Sequence, residues 1–159
     1  VPVGFKYISA KMAQTNAVIG GESSGGLAVR GHIAGKDGIY AAALLVEMLA
    51  VTGKSVSQLY REITDKYGML YYEDAAFTMT QARKAELQEK LFVKLEVPDF
   101  GNTVEKINRT DGCKVYFTDG SWVICRFSGT EPLLRMAAEG ESQSQAKTYI
   151  RIWREALGL

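Results

Sequence analysis

Three short stretches hold the residues best equipped for chemistry. The first is Arg126-Phe127-Ser128-Gly129-Thr130-Glu131-Pro132-Leu133-Leu134-Arg135. A strand-like run ends in one arginine, and a loop with two hydroxyls and a glycine follows. Pro132 restricts that loop, and a second arginine lies beyond it. A phosphate dianion asks for this set. Two guanidinium groups can give paired, charge-assisted hydrogen bonds, and hydroxyls and N–H groups of a glycine-containing turn supply the rest. Arg126 and Arg135 flank the loop, so both can converge on one anion at its mouth. The plainer reading is a hairpin loop with turn-forming residues and two surface arginines, and composition alone leaves both open.

The second stretch, Gly20-Gly21-Glu22-Ser23-Ser24-Gly25-Gly26, has four glycines among seven residues, enough for left-handed backbone and close approach of a ligand. It is neither a P-loop nor a dinucleotide fingerprint, since no helix pattern opens within it and no Lys-Ser/Thr ends it. One carboxylate and two hydroxyls suit the neutral hydroxyls of a sugar better than phosphate; a plain flexible turn is the alternative. The third stretch holds His32 and Lys36. A lone His is more often a surface or core residue than a catalytic one. Asp37 is placed to cap the helix that follows. Lys36 can contact an anion, or transfer a proton if burial or a neighbour lowers its pKa.

The pattern along the chain indicates what positions these stretches. Val1–Ala17 is mildly amphipathic, and Ala17-Val18-Ile19 reads as a buried strand delivering the glycine loop. Leu27–Val29 suggests a second short strand. Ile39, Ala42, Leu45, Met48 and Leu49 recur at helical spacing up to a stop at Gly53. Ser55 with Gln58 forms a capping box for the next helix, striped by Val56, Leu59, Tyr60, Ile63 and Tyr67. Both helices are expected to lie on a sheet. Gly68–Thr78 suits an extended segment, and Thr80 an N-cap for a helix reaching about Leu91. Beyond a Pro- and Gly-punctuated linker, strands are expected near Thr103–Asn108, Cys113–Phe117, Trp122–Phe127 and Leu133–Ala138. Asp111-Gly112 and Asp119-Gly120 supply hairpin turns. A last helix begins near Ser142 or Ser144, with Ala146, Tyr149, Ile150, Trp153 and Leu157 buried.

The fold expectation is therefore mixed: an α/β domain over 1–93, then an α+β domain over 94–159 with an antiparallel sheet under a covering helix. If Asp119-Gly120 is a two-residue loop, Phe117 faces Trp122, Cys113 faces Arg126 and Cys125 faces Lys114. The two thiols then point to opposite sides of the sheet and remain unbridged.

Composition narrows the class. The 159 residues are 47% hydrophobic and 23% charged, with 19 Lys and Arg against 18 Asp and Glu. That apolar content with a net charge of +1 excludes disorder and argues against a nucleic-acid partner. No apolar run approaches the roughly 20 residues that span a bilayer. Two cysteines and one histidine are poor material for a disulfide scaffold or a zinc site. The expectation is a cytoplasmic protein without membrane or nucleic-acid partners.

Taken together, the stretches resemble the α-D-phosphohexomutases, the phosphoglucomutase/phosphomannomutase superfamily. Gly21-Glu22-Ser23-Ser24-Gly25 is similar to the family's sugar-recognition loop, G-E-x-S-G, and His32 with Lys36-Asp37-Gly38 to the segment after it. Arg126 to Pro132 with Arg135 resembles the phosphate-binding loop, R-x-S-G-T-E-P…R, and Val3 to Ile8 fits as well. The resemblance implies most of an α/β/α third domain followed by a TATA-binding-protein-like fourth domain. It implies that Glu22 and Ser24 hold sugar hydroxyls and that Arg126, Ser128, Gly129, Thr130 and Arg135 hold the phosphate not being transferred. His32 and Lys36 would line the substrate site, with Lys36 a candidate for proton transfer or phosphate contact. The substrates implied are glucose or mannose 1- and 6-phosphates, with a faint lean to glucose-type relatives, and the intermediate is a hexose 1,6-bisphosphate.

Two family features have no counterpart: the phosphorylated serine of a T-A-S-H-N-P-like loop and the D-G-D-x-D-R loop that holds Mg²⁺. Ser23 also stands where many relatives have Glu. The expectation is a C-terminal portion whose partners include missing N-terminal domains, inactive alone and with no metal ligand of its own. The opening Val1-Pro2-Val3 without an initiator methionine accords with that. The competing expectation is a stand-alone sugar-phosphate-binding or regulatory module that kept the two loops.

Overall fold

A computed structural model describes residues 1–94, 96–129 and 131–159, and side-chain caps start four of its five α-helices. Thr130, expected to contact phosphate, lies outside the described residues. The chain divides into two compact units, Val1–Gly68 and Met69–Leu159.

In the first unit, α1 (Phe5–Thr15) leads into a hairpin of β1 (Ile19–Gly21) and β2 (Leu27–Val29), which pair antiparallel around the glycine loop. Gly20 lets α1 sit directly on this hairpin: a Cβ there would lie 2.5 Å from Met12 Sδ and 2.7 Å from Ile8 Cγ2. Helix α2 (Gly38–Thr52) starts on Asp37, whose carboxylate accepts from the N–H groups of Ile39 and Tyr40, and it stops at left-handed Gly53. Helix α3 (Val56–Tyr67) opens on the full Ser55–Gln58 capping box.

Neither helix lies on a sheet as expected. No residue of α2 or α3 is buried, and Ile39 and Val51 are 87% and 80% exposed. The reason is supply: the unit's described strands are only three residues each, too little sheet to cover α2, which is apolar nearly all round, and the one-sided α3. Among the described residues no single helix is long and apolar enough to cross a membrane; α2 and α3 reach that length only together, bent by 82°.

The second unit is a five-stranded antiparallel sheet in the order β3-β7-β6-β5-β4: β3 (Tyr71–Thr78), β4 (Val104–Asn108), β5 (Cys113–Phe117), β6 (Trp122–Phe127) and β7 (Leu133–Gly140). One sheet face packs on α4 (Gln81–Gln88), the π-helical turn Glu89–Val93 and α5 (Gln143–Leu157). The expected α5 stripe, Ala146, Tyr149, Ile150, Trp153 and Leu157, is buried against the inward-facing Val115, Phe117, Val123, Leu134 and Met136. Each such large apolar side chain contributes roughly 1.5–3 kcal/mol by leaving water. Residues 69–93, grouped above with the first domain, belong to this packing. Strand β3 pairs with β7 over all eight of its residues, and Leu87 and Leu91 are fully buried in the core.

One register differs from expectation. Tyr116 faces Trp122, so Cys113 faces Cys125 on the core side of the sheet. The β5–β6 loop has three residues: Phe117 N–H donates to Ser121 O, and only Gly120 takes positive φ, at +86°. A two-residue type I′ loop would need positive φ at Asp119 as well. Instead the Asp119 carboxylate accepts from Ser121 N–H and Oγ–H, holding the longer turn. Both cysteines are fully buried and unbridged. Burial pushes both thiols above the usual range; Arg109 beside Cys113 partly opposes this, while Cys113 adds to it at Cys125.

Candidate functional site

The phosphate-loop candidate sits where β6 turns into β7. Arg126 and Arg135 are direct cross-strand partners, so both guanidinium groups leave from the outer face of the sheet at the loop's base. Neither takes part in an ion pair among the described residues. The backbone between them is tied back to the body of the unit. Ser128 N–H donates to Leu133 O at 2.8 Å, Met79 N–H donates to Pro132 O at 3.0 Å, and Glu131 N–H donates to Ser128 Oγ at 3.3 Å. Ser128 is buried, whereas Gly129 is exposed with open space around its missing Cβ position. Arg126, Ser128, Gly129 and Arg135 are thus brought together as expected.

Lys84 on α4 also reaches this loop, donating from Nζ to Ser128 O at 2.9 Å and to Glu131 O at 3.3 Å. Gly112 supports Arg126 from the other side. Its φ is +97°, and a Cβ there would lie 2.6 Å from Cys125 O and 2.9 Å from Arg126 Cβ. Sequence reasoning missed both. Gly112 had a signal, the Asp-Gly turn pair, although nothing local shows that it abuts Arg126. Lys84 had none, because its partners lie more than forty residues away.

The glycine stretch forms the tip of the β1–β2 hairpin. Glu22 N–H donates to Gly26 O and Gly25 N–H to Glu22 O, both at 2.9 Å, with Gly25 in the positive-φ region. Lys36 Nζ donates to Glu22 Oε2 at 3.2 Å; the Glu22 side chain is 19% exposed and that of Lys36 52%. Gly26 makes this pairing possible: a Cβ there would lie 2.4 Å from Lys36 Cδ and 3.2 Å from Glu22 Oε2. Glu22, Ser24 and Lys36 therefore cluster around one hairpin tip, with Ser24 exposed.

His32 stands apart from that cluster. Its Nε2 meets Asp37 Oδ2 at 2.8 Å and its ring stacks on Tyr40 at 4.1 Å, so it braces the segment carrying Lys36. Hydrogen bonds from the Tyr40 N–H and from His32 hold the Asp37 carboxyl below the ordinary carboxylate range, against a small opposing effect of burial. A cavity of about 180 Å³ between α1 and residues 28–34 includes His32 in its lining but none of Glu22, Ser24 or Lys36. Among the described residues no three His, Cys, Asp or Glu side chains could hold a metal ion. The described residues therefore offer no set of this kind for Mg²⁺.

The second unit thus carries a two-arginine, glycine-containing loop at the end of an antiparallel sheet, and the first a carboxylate–lysine pair beside a glycine hairpin. Residues 1–67 match the sequence model of "Phosphoglucomutase/phosphomannomutase, alpha/beta/alpha domain III" and residues 76–155 that of "Phosphoglucomutase/phosphomannomutase, C-terminal domain". The chain belongs to the phosphoglucomutase/phosphomannomutase family. A phosphoglucomutase/phosphomannomutase of Thermococcus kodakarensis is 31% identical over 94% of this chain and 30% of its own length. A probable phosphoglucosamine mutase of Methanosarcina barkeri is 37% identical over 86% of this chain and 29% of its own. Among solved structures, a putative phosphomannomutase from Thermus thermophilus superposes with a TM-score of 0.73 at 26% identity, over 100% of this chain and 31% of that one. The chain thus spans about 30% of the length of the curated relatives it matches.

Proposed function

We propose that this chain supplies the sugar- and phosphate-gripping part of a phosphohexomutase, which interconverts hexose 1-phosphate and hexose 6-phosphate through a phosphoserine enzyme and a bisphosphate intermediate. Relatives named phosphoglucosamine mutase widen the substrate class to amino sugars. On this reading Arg126, Arg135, Ser128 and Gly129, with Thr130, hold the phosphate that is not transferred. Glu22 and Ser24 take sugar hydroxyls, and Lys36 relays a proton or contacts substrate phosphate. The phosphoserine and the Mg²⁺ ligands belong to parts of the protein outside this chain, so the isolated chain binds without turning over. Its contribution to the reaction is positioning through charge-assisted contacts.

The observation that carries the reading is Arg126 directly opposite Arg135. Like charges in that register repel, an arrangement that costs a few tenths to about 1 kcal/mol unless an anion sits between them. With an anion bound, each guanidinium contact is worth roughly 1.5–3 kcal/mol, so losing both costs a hundredfold or more in affinity.

Calorimetric titration of glucose 6-phosphate into the chain, beside an Arg126→Ala/Arg135→Ala variant, tests the site. Binding by the parent and loss in the variant is the expected result. No binding, or equal binding, removes the loop from consideration. A mutase assay with glucose 1,6-bisphosphate and Mg²⁺ addresses the second half, and robust turnover by the isolated chain would contradict it.

A further inference from the structure

Three basic side chains project from the α4 region onto backbone carbonyls. Arg83 donates to Leu157 O at 2.5 Å and Lys90 to Ala156 O at 2.7 Å. Those two contacts cap the C-terminal end of α5, where cations belong electrostatically. Lys84 does something different: its partners, Ser128 O and Glu131 O, lie on either side of Gly129 in the phosphate-loop candidate.

We infer that Lys84 is a positioning residue for phosphate binding, acting through the loop backbone rather than by touching the anion; the inference rests on the phosphate-loop reading above. In a trans peptide the carbonyl and the following N–H point in opposite directions, and the described chain has no cis bond. Holding Ser128 O toward α4 therefore turns Gly129 N–H away from α4. Glu131 O is followed by Pro132, which has no N–H, so clamping it sacrifices no donor. Both carbonyls carry partial negative charge, and their rotation toward an anion at the loop mouth would repel it. The ammonium group keeps them engaged and adds positive charge behind the loop. Thr80 accepts the Arg83 N–H at the start of α4, fixing the helix turn from which Lys84 projects.

The test compares Lys84→Met and Lys84→Arg with the parent chain, titrating inorganic phosphate and glucose 6-phosphate by calorimetry and following amide hydrogen exchange at Ser128, Gly129 and Glu131. Removing a charge-assisted contact of this kind should weaken phosphate binding about tenfold in Lys84→Met. Exchange at the loop amides should accelerate while the rest of the sheet stays protected. Lys84→Arg should restore most of the affinity, a rescue that a simple packing role would not produce. Parent binding with unchanged affinity and exchange in Lys84→Met overturns the inference alone. Faster exchange spread over the whole unit also overturns it, because Lys84 would then be a general stabiliser. No binding by the parent overturns the phosphate-loop reading, and this inference with it.

Discussion

Replacing Gly112 by alanine should damage both the stability of the second unit and its phosphate site, and Gly120 provides the internal control. The two glycines sit in hairpin turns of the same sheet at nearly the same backbone angle, φ +97° and +86°. A side chain in left-handed backbone costs roughly 1–2 kcal/mol, so both alanine variants incur that amount. At Gly120 nothing lies within 4 Å of the new methyl, so the cost ends there. At Gly112 the methyl meets Cys125 O at 2.6 Å and Arg126 Cα at 3.1 Å, backbone atoms that cannot swing aside. Overpacking of this sort adds about 1–3 kcal/mol. A unit of this size loses about 4–8 °C in Tm per kcal/mol. Gly120→Ala should therefore melt roughly 5–15 °C below the parent, and Gly112→Ala at least about 5 °C lower again. Both tryptophans, Trp122 and Trp153, lie in the second unit, so fluorescence melting reports on it selectively. Because two of the three crowded atoms belong to Arg126, Gly112→Ala should also weaken phosphate binding at a temperature where it is folded, while Gly120→Ala should not. Equal melting of the two variants would refute the reasoning.

Three shorter predictions follow from other contacts. Cys113 and Cys125 should resist a thiol-reactive dye at pH 8 until denaturant is added, because both are fully buried with thiols pushed up by burial; labelling at free-thiol rates under native conditions would contradict that. Desolvation acts to raise the Asp119 pKa, but hydrogen bonds from Ser121, Asn102 and Gln145 outweigh it and hold the carboxyl below its ordinary value. A depressed carboxylate stabilises above its unfolded pKa and loses that contribution as pH falls through the folded value. Asp119→Asn should thus flatten the loss of stability below about pH 4, and an unchanged acid limb would count against the network. Gly26→Ala should displace the Lys36 stem from Glu22 with little change in melting, since the side chain can move. It should weaken hexose phosphate binding and leave inorganic phosphate binding intact; equal loss for both ligands would show that the two loops are not separable.

Much of this arrangement was readable from local chemistry. Ser55 with Gln58, Gly53 after Leu49 and Asp37 before Ile39 announce helix ends through contacts spanning four residues or fewer, and all three appear as expected. Arg126 and Arg135 flank a turn, which keeps them close in sequence, but only the observed pairing sets them opposite each other on one face; a one-residue slip would send them to opposite faces. What was hidden depends on distance or on one side chain's choice. Asp119 captures Ser121 rather than closing a two-residue loop, and that extra residue moves Cys125 from one face of β6 to the core side. The apolar stripe of α3 is real, whereas α2 is apolar nearly all round; either pattern says only that a surface wants cover, not that this chain supplies it. Segment 69–93 read as part of the first unit because the Pro- and Gly-punctuated linker comes after it, yet β3 finds its partner in β7, some sixty residues on.

The proposal that the β6–β7 loop binds phosphate and the glycine hairpin binds sugar hydroxyls is tested most directly by amide and arginine Nε–H nuclear magnetic resonance during titration with glucose 6-phosphate. The account predicts that the largest shifts fall at Arg126, Gly129 and Arg135 and at the Glu22–Gly26 hairpin. Inorganic phosphate should reproduce only the first set. Shifts confined to other surfaces, or none at saturating ligand, would contradict it.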